Sequence, residues 1–406
     1  MSDKVLTNGL LPDGRSVDIA IADGVIEAVE PGGTSRPQVG TEIVDLDHRL
    51  LVPAFGEPHA HLDKAYLADE VPNVSGDLIG AVEAILKSWP RLQLEDIVTR
   101  ATMAVRRLVA SGTTAIRTHA DLNPVGGMKS VEALVAVREA VAHLCDVQVV
   151  PLSLPVTGEQ GPIGRRLLDQ ALTTGIDIVG GCPHLEHDPL AAIDIALDAA
   201  VESGLPVDLH FDEVLDESVQ HLPELARRVM VRGLEGRVTA SHCVSHGLLP
   251  PDRQREVGRL LADAGVAVVT NPRTNLFLQA RGINQAPPRG LAGVRALLDA
   301  GTTVAAGADN VQDPFYFIGR SDALETATFL VTVAHLTIEE AWELVGPAVR
   351  RVLGLASVAV EVGAPAELVA IRAGSIRQAI ADQPVDRLVF HQGRLVARTT
   401  AETWVA

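Results

Sequence analysis

The sequence predicts a (β/α)8 TIM barrel together with a small β-sandwich-like domain that both ends of the chain build. Short apolar strands alternate with helical segments through the middle of the chain, which is the pattern of a barrel. The two ends instead have a β-rich texture that the middle lacks. A chain of 406 residues is long enough for both units.

Short strands are predicted at both ends. Residues 16–22 alternate polar and apolar side chains, and Asp23-Gly24 marks a turn before a strand that begins at Val25. Near the C-terminus, residues 387–397 have the same character around a turn at Gln392-Gly393. We therefore expect residues 1–52 and 357–406 to form the small domain, and residues 53–356 to form the barrel.

Eight strand-and-helix units are expected in the middle. Helical periodicity is clear at residues 80–88, 94–110 and 130–143. The predicted strands lie at 50–55, 114–119, 146–152, 176–180, 207–210, 238–242, 266–271 and 302–309. No G-x-G-x-x-G segment follows an early strand, which argues against an open dinucleotide-binding sheet.

Composition and charge exclude several classes of function. The formal net charge of -18 argues against nucleic acid and anionic membranes as partners. No stretch reaches the roughly 18 apolar residues of a membrane span, and no signal peptide is apparent at the N-terminus. The three cysteines include no Cys-x-x-Cys pair, so we expect reduced thiols and a cytoplasmic protein.

Metal-ligand side chains follow several of the predicted strands. His59 and His61 come after the first strand and, two residues apart, point the same way. His210 and His242 end the fifth and sixth strands, and Asp309 ends the eighth. Each alone has an ordinary explanation, as a hydrogen-bonded core histidine or a helix cap. Together they would converge at one face of a barrel and suit a mononuclear catalytic metal site.

Glu213 lies three residues after His210. A glutamate in a loop is usually a solvated surface carboxylate. Beside a metal site, the same carboxylate would carry protons between water and a leaving group. The residues leave both interpretations open.

Seven stretches together resemble the amidohydrolase superfamily, and within it the cytosine deaminase group, over essentially the whole chain. They are the segments 57–63, 117–121, 179–186, 210–213, 238–242, 271–281 and 307–314. The resemblance implies that His59, His61, His210 and Asp309 hold one divalent ion, Zn2+ or Fe2+, which the sequence does not distinguish. Residues 176–186 contain no lysine, which argues against a binuclear site with a carbamylated lysine.

The resemblance also implies catalytic roles. Glu213 would protonate a ring nitrogen and pass protons to departing ammonia. His242 would hold the attacking water and stabilise the developing oxyanion. Asp309 would also accept the proton of that water.

The chain departs from the cytosine deaminase pattern at two places that bear on substrate binding. Leu154 or a neighbour stands where that group has a substrate-reading glutamine, with Gln160 as a second candidate or a misplaced alignment gap as the alternative. Asn310 replaces an aspartate and offers both a hydrogen-bond donor and an acceptor. Asn310 and Lys64 resemble relatives that process substituted triazines, although Lys64 alternatively pairs with a surface carboxylate.

We therefore expect a metal-dependent deaminase that releases ammonia from a small nitrogen heterocycle. Cytosine, another aminopyrimidine, an aminotriazine or a pterin are the candidate substrates. The enzyme alternatives are a cyclic amide hydrolase or an N-alkyl aminotriazine amidohydrolase with the same metal site. A non-catalytic ligand-binding barrel is the remote alternative. The resemblance also allows a homo-oligomer.

Overall fold

The structure is a computed structural model that describes residues 3–37 and 39–405. It is an α/β fold in which a mixed sheet from the two ends of the chain accompanies two parallel sheets. No helix in these described ranges has the length and hydrophobicity of a membrane span.

The N-terminal strands all belong to the mixed sheet. They are β1 (Lys4–Leu10), β2 (Ser16–Ala22), β3 (Val25–Pro31), β4 (Glu42–Asp45) and β5 (Leu50–Pro53). The turn predicted at Asp23-Gly24 joins β2 to β3, with φ angles of 49° and 76°. Both residues therefore adopt the left-handed conformation that a two-residue hairpin requires.

Eight parallel strands follow. The first three form one sheet: β6 (Phe55–Ala60), β7 (Thr113–Leu122) and β8 (Asp146–Ser153). The other five form a second sheet: β9 (Val179–Gly181), β10 (Val207–Phe211), β11 (Val238–His242), β12 (Ala267–Thr270) and β13 (Val304–Ala306). Most of their residues are buried, as expected for parallel strands covered by helices.

Helices occupy most of the connections. They are α1 (Leu78–Ser88), α2 (Leu94–Ala110), α3 (Lys129–Val141), α4 (Gly161–Leu172), α5 (Pro189–Ser203), α6 (Leu222–Arg232), α7 (Pro251–Asp263), α8 (Pro272–Leu278), α9 (Val294–Asp299), α10 (Ala323–Val333), α11 (Ile338–Val345), α12 (Pro347–Val352) and α13 (Ile376–Asp382). Helix α2 has the predicted bounds, and it buries Ile97, Ala101 and Val105 along one face. Helix α11 begins with a capping box between Thr337 and Glu340.

The C-terminal strands complete the mixed sheet. They are β14 (Leu368–Ile371), β15 (Arg387–His391) and β16 (Arg394–Thr399). The eight-stranded sheet has the order β16-β15-β14-β5-β1-β2-β3, with β4 paired to β1. Both ends of the chain therefore share one sheet, and β14 joins them by pairing antiparallel with β5.

The first predicted strand, 50–55, is wrong as a single element. Residues Leu50–Pro53 pair with β14 in the mixed sheet. The chain changes sheets at Ala54, whose N–H donates to Glu367, whereas the next N–H, that of Phe55, donates to Gly112. The first parallel strand is therefore β6, and it contains His59 instead of preceding it.

Candidate metal centre and substrate pocket

The four predicted metal ligands lie together at the ends of the parallel strands. His59 is in β6 and His61 lies just after it, whereas His210 comes from β10. The Nε2 atom of His210 lies 3.1 Å from that of His59 and 3.0 Å from that of His61. Asp309 Oδ1 lies 3.4 Å from His61 Nε2 and 3.8 Å from His59 Nε2. The fold thus brings together side chains that are about 250 positions apart in the chain.

The donor set fits a divalent cation. Burial lowers the pKa of His59, His61 and His210 well below the usual range, so each imidazole is in the neutral form that binds metals. Nitrogen separations near 3 Å suit one ion at roughly 2.0–2.1 Å from each ring. Burial and the nearby Glu213 raise the pKa of Asp309. A cation beside Asp309 would favour its carboxylate form instead.

Glu57 holds the metal-ligand strand against the Asp309 loop. Its carboxylate accepts hydrogen bonds from the N–H of Ala308 at 2.9 and 3.0 Å and from that of His59 at 3.1 Å. Burial raises the pKa of Glu57 to about 7, although these backbone bonds lower it. A Cβ on Gly307 would lie 2.7 Å from Glu57 Oε1, so only glycine allows this close approach. We assigned no role to Glu57 from the sequence.

Glu213 and His242 form the second part of the site. Glu213 Oε1 lies 3.2 Å from His242 Nδ1, and Asn275 Nδ2 lies 2.9 Å from the same carboxylate oxygen. Burial raises the pKa of Glu213 to about 8, although the hydrogen bond from Asn275 lowers it. Burial and His184 lower the pKa of His242 to about 3, against the effect of Asn275. Burial therefore favours the protonated form of Glu213 and the neutral form of His242.

Two of the predicted site residues, His242 and Asp309, have a strained backbone. His242 and Asp309 have φ angles of 73° and 69°, in the left-handed region that favours glycine. Such conformations cost about 1–3 kcal/mol each and cluster at functional sites. The N–H of Asp309 donates to the carbonyl of His59, which holds the Asp309 loop in this conformation.

A cavity of about 220 Å3 opens beside the histidines, and the three predicted substrate-binding residues line it. Leu154 is half-buried, and Gln160 lies exposed among the lining residues. Lys64 is buried, and its Nζ lies 2.5 Å from Asp121 and 3.2 Å from Asp63. The alternative that Lys64 pairs with a surface carboxylate is therefore wrong, because Asp63 is fully buried and Asp121 nearly so.

Asn310 is oriented by Asp313. Its Nδ2 donates to Asp313 Oδ2 at 2.8 Å. The same carboxylate accepts the N–H groups of Phe315 and Tyr316 through its other oxygen. A carboxylate partner identifies the Asn310 nitrogen, so the amide oxygen is left as the acceptor. Both a donor and an acceptor were expected of Asn310. The structure leaves it an acceptor and at most one free N–H for a substrate.

The outer part of the cavity is apolar. Helix α1 contributes Leu78, Val82, Ile85 and Leu86 to this wall. Phe315 lies beside it, with its ring nearly parallel to that of His61. The cavity therefore has a polar inner end at the histidines and an apolar outer wall.

One further histidine of the cluster was missed. His119, in β7, offers a ring nitrogen within 4.8 Å of those of His59 and His210. It follows the same rule as the others, since it lies near the end of a parallel strand. The segment 117–121 was noted only as part of the family resemblance, although its histidine was a visible indication.

Comparisons with known proteins find relatives that are similar over nearly the whole chain. Residues 75–406 match the amidohydrolase family. A pterin deaminase of Rhizobium rhizogenes is 30% identical over 390 residues, which cover 94% of this chain and 88% of that protein. An N-isopropylammelide isopropyl amidohydrolase of Pseudomonas sp. is 27% identical, covering 98% of this chain and 97% of that protein. The structure of 5-methylcytosine deaminase from Klebsiella pneumoniae with 5-fluorocytosine superimposes with a TM-score of 0.91 and 27% identity, covering 99% of both chains.

Proposed function

The chain belongs to the amidohydrolase family, and from that membership we propose that it is a metal-dependent hydrolytic deaminase of amino-substituted nitrogen heterocycles. The observation that carries this proposal is the convergence of three buried histidines with Asp309, beside which Glu213 Oε1 lies 3.2 Å from His242 Nδ1. The hydrolysis of a C–N bond agrees with the named activities of the relatives.

We propose that the two parallel sheets form one closed (β/α)8 barrel. At one seam, the N–H of Asp177 donates to the carbonyl of Val149 in β8. At the other, Ala60 in β6 forms a parallel bridge with Asp309, beyond β13. The shared terminal sheet supports the proposed boundaries of 1–52 with 357–406 for the small domain and 53–356 for the barrel.

His59, His61, His210 and Asp309 would hold one Zn2+ or Fe2+ ion. When bound, this ion would make water nucleophilic at neutral pH. Asp309, which faces the histidines, would accept the proton of the water.

Glu213 would donate its proton to a ring nitrogen next to the attacked carbon. Burial raises its pKa and so favours the protonated form that a general acid requires. Asn275 lies 3.1 Å from His242 Nδ1, which assigns the ring proton to Nε2. His242 would thus donate a hydrogen bond to the developing oxyanion.

The pocket favours a ring larger or more apolar than unsubstituted cytosine. Leu154 cannot form the hydrogen bonds of a glutamine, whereas Asn310 presents an acceptor to an N–H group of the ring. Lys64 uses two of its three protons on Asp121 and Asp63, which leaves one for the substrate. The apolar wall of α1 would contact a substituent or a second ring.

The same wall favours a second candidate, the release of an alkylamine instead of ammonia. An N-alkyl group on the leaving nitrogen would need an apolar surface near the metal-ligand histidines, and α1 and Phe315 provide one. The named activity of the Pseudomonas relative, at 27% identity, is consistent with this reaction.

The test is product release by the purified protein loaded with Zn2+ or Fe2+. The panel holds cytosine, 5-methylcytosine, pterin, an unsubstituted aminotriazine, N-isopropylammelide and a cyclic amide. We expect ammonia from at least one amino heterocycle, with a lower rate for cytosine than for a bulkier ring. Alkylamine release alone would favour the second candidate. No release from any compound by metal-loaded protein would contradict both.

A further inference from the structure

Asp121 is a carboxylate in the wall of the cavity that accepts fewer hydrogen bonds than it can. Its Oδ1 atom accepts from Lys64 Nζ at 2.5 Å, and its Oδ2 atom accepts from Trp89 Nε1 at 3.2 Å. A carboxylate offers about four acceptor positions on its two oxygens. In the part of the chain that the structure describes, no other side chain donates to these oxygens, so about two acceptor positions stay open.

Asp121 borders the cavity, whereas the second carboxylate on Lys64 does not. The side chain of Asp121 is 12% exposed and belongs to the cavity lining, but that of Asp63 is fully buried. Asp63 accepts the N–H of Asp121 at 2.9 Å, so it holds this segment from the core side. Of the two carboxylate partners of Lys64, only Asp121 is therefore placed to contact a bound molecule.

The Lys64–Asp121 pair lies at the same end of the cavity as the metal-ligand histidines. The ring of Phe315 stacks against that of His61, with centroids 6.5 Å apart. Lys64 Nζ lies 6.0 Å from the centroid of the same Phe315 ring. All four residues line one cavity of about 220 Å3, so a heterocycle bound at the histidines would also reach the pair.

The pair presents a hydrogen-bond donor beside an acceptor. Asp121 and Asp63 take two of the three protons of Lys64, which leaves one for a ligand. Asp121 supplies the neighbouring acceptor, and Trp89 and Lys64 hold its carboxylate in place. The complementary edge of a ligand is an N–H beside a carbonyl oxygen, as in a ring lactam. Its N–H would gain a strong hydrogen bond, because the acceptor is charged.

We propose that Asp121 determines substrate specificity by accepting a hydrogen bond from a ring N–H, while Lys64 donates to the adjacent carbonyl oxygen. The inference rests on the proposed function and narrows its substrates to rings that carry this N–H and carbonyl in addition to the leaving amino group. Both contacts are made away from the bond that breaks, so Asp121 acts mainly on KM.

The test combines Asp121→Asn with removal of the N–H from the ligand. Metal-loaded proteins are assayed with cytosine and pterin, and with 1-methylcytosine and 3-methylpterin, in which a methyl group replaces a ring N–H. In the wild type, methylation should lower kcat/KM about 10–100-fold, because a hydrogen bond to a charged group is lost. In Asp121→Asn, kcat/KM of the unmethylated ring should fall by a similar factor, mainly through KM. Methylation should then cost correspondingly less.

The matched control is Asp63→Asn. It also removes a carboxylate from Lys64, but one that does not border the cavity, so it should keep the wild-type cost of methylation. Asp121→Glu keeps a negative charge beside Lys64 and moves the acceptor by one methylene. It should raise KM for the unmethylated ring, and it tests the contact if Asp121→Asn does not fold. A purely structural role of Asp121 would instead lower the thermal midpoint and change kcat/KM equally for both members of each pair.

The outcomes separate the inference from the proposed function. An equal cost of methylation in the wild type and in Asp121→Asn would overturn the inference. So would a wild type that hydrolyses an aminotriazine but neither binds nor hydrolyses cytosine or pterin. If Asp121→Asn does not fold, an unchanged KM in Asp121→Glu would have the same meaning. A metal-loaded wild type that releases ammonia from no amino heterocycle would instead overturn the proposed function itself.

Discussion

Two regions of this molecule bury histidines in opposite ways. His391, in the terminal sheet, lies 3.0 Å from the carboxylate of Glu367. Burial alone would lower the pKa of His391, but the hydrogen bond that His391 donates to Glu367 raises it overall. His59, at the strand ends, has its Nε2 atom 3.1 Å from that of His210 and 3.8 Å from Asp309 Oδ1. Burial and the neighbouring His119 lower its pKa well below the usual range.

This difference in the pairing of buried histidines reflects the different roles of the two regions. The terminal sheet pairs its buried charges within the protein, and the raised pKa of His391 with the lowered pKa of Glu367 means that the charged pair contributes to stability. The cluster at the strand ends instead holds neutral imidazole nitrogens 3.0 and 3.1 Å from one another, which keeps them available to a cation. Variants of the two regions should therefore separate function from stability.

The largest effect is expected for His210→Ala. His210 Nε2 lies within 3.1 Å of the Nε2 atoms of both His59 and His61, so its loss removes the centre of the donor set. Zn2+ affinity should fall by more than the 10–100-fold that outer-shell partners contribute, and turnover should fall to background. Metal analysis after gel filtration measures the first effect. The matched control is His391→Ala, which should keep its metal, and metal retention by His210→Ala would contradict the assignment.

Glu213→Gln should keep the metal and lose turnover. The amide is similar in size and still accepts from Asn275, but it cannot transfer the proton. Turnover should fall by about 10²–10⁴-fold, the usual contribution of a general acid. Steady-state kinetics at equal metal content measure this loss. Glu367→Gln replaces a buried carboxylate of the other region and should leave the turnover of folded protein unchanged. Normal turnover in Glu213→Gln would exclude the proton-donor role.

The smallest effect is on stability, and Glu367→Gln should reveal it. Burial raises the pKa of Glu367, but its hydrogen bond with His391 lowers it overall. The contribution of Glu367 to the free energy of unfolding is therefore fully present above its ordinary pKa of 4.5. It is lost as pH falls through the lowered pKa. The contribution of His391 is fully present below its ordinary pKa of 6.5, and it is lost as pH rises through the raised pKa.

The pair should therefore stabilise the protein most between pH 4.5 and 6.5. In that window, Glu367→Gln should lower the free energy of unfolding by roughly 1–3 kcal/mol. The difference from the wild type should shrink at higher pH. Urea unfolding across a pH series measures it, and a difference independent of pH would show that the ion pair is not the cause.

Several elements were predictable because their causes are local. The turns at Asp23-Gly24 and Gln392-Gly393 occur as expected, because these residues adopt positive φ at low cost. Helix α2 was predicted with its exact bounds by its periodicity. The run 50–55 was misassigned because a short apolar segment has the same pattern in a mixed sheet and in a parallel one. Only the partners at Ala54 and Phe55 reveal the change of sheet.

The sequence by itself determined which chemistry is available, because the residue types near the strand ends are read directly from it. His59, His61, His210, His242 and Asp309 were all identified in this way, and the spacing of Glu213 from His210 placed it near them. Their roles remain predictions that metal analysis and kinetics will test.

Only the tertiary structure decided how these groups are paired. Lys64 forms a hydrogen bond with Asp121, which is 57 positions away in the chain. His119 lies 4.0 Å from Asp208, which comes from another strand. Asn310 became an acceptor because Asp313 takes its amide N–H. Whether a polar group is paired or left available depends on its neighbours in space. Those neighbours are chosen by strand order and packing, which no local pattern of residues contains.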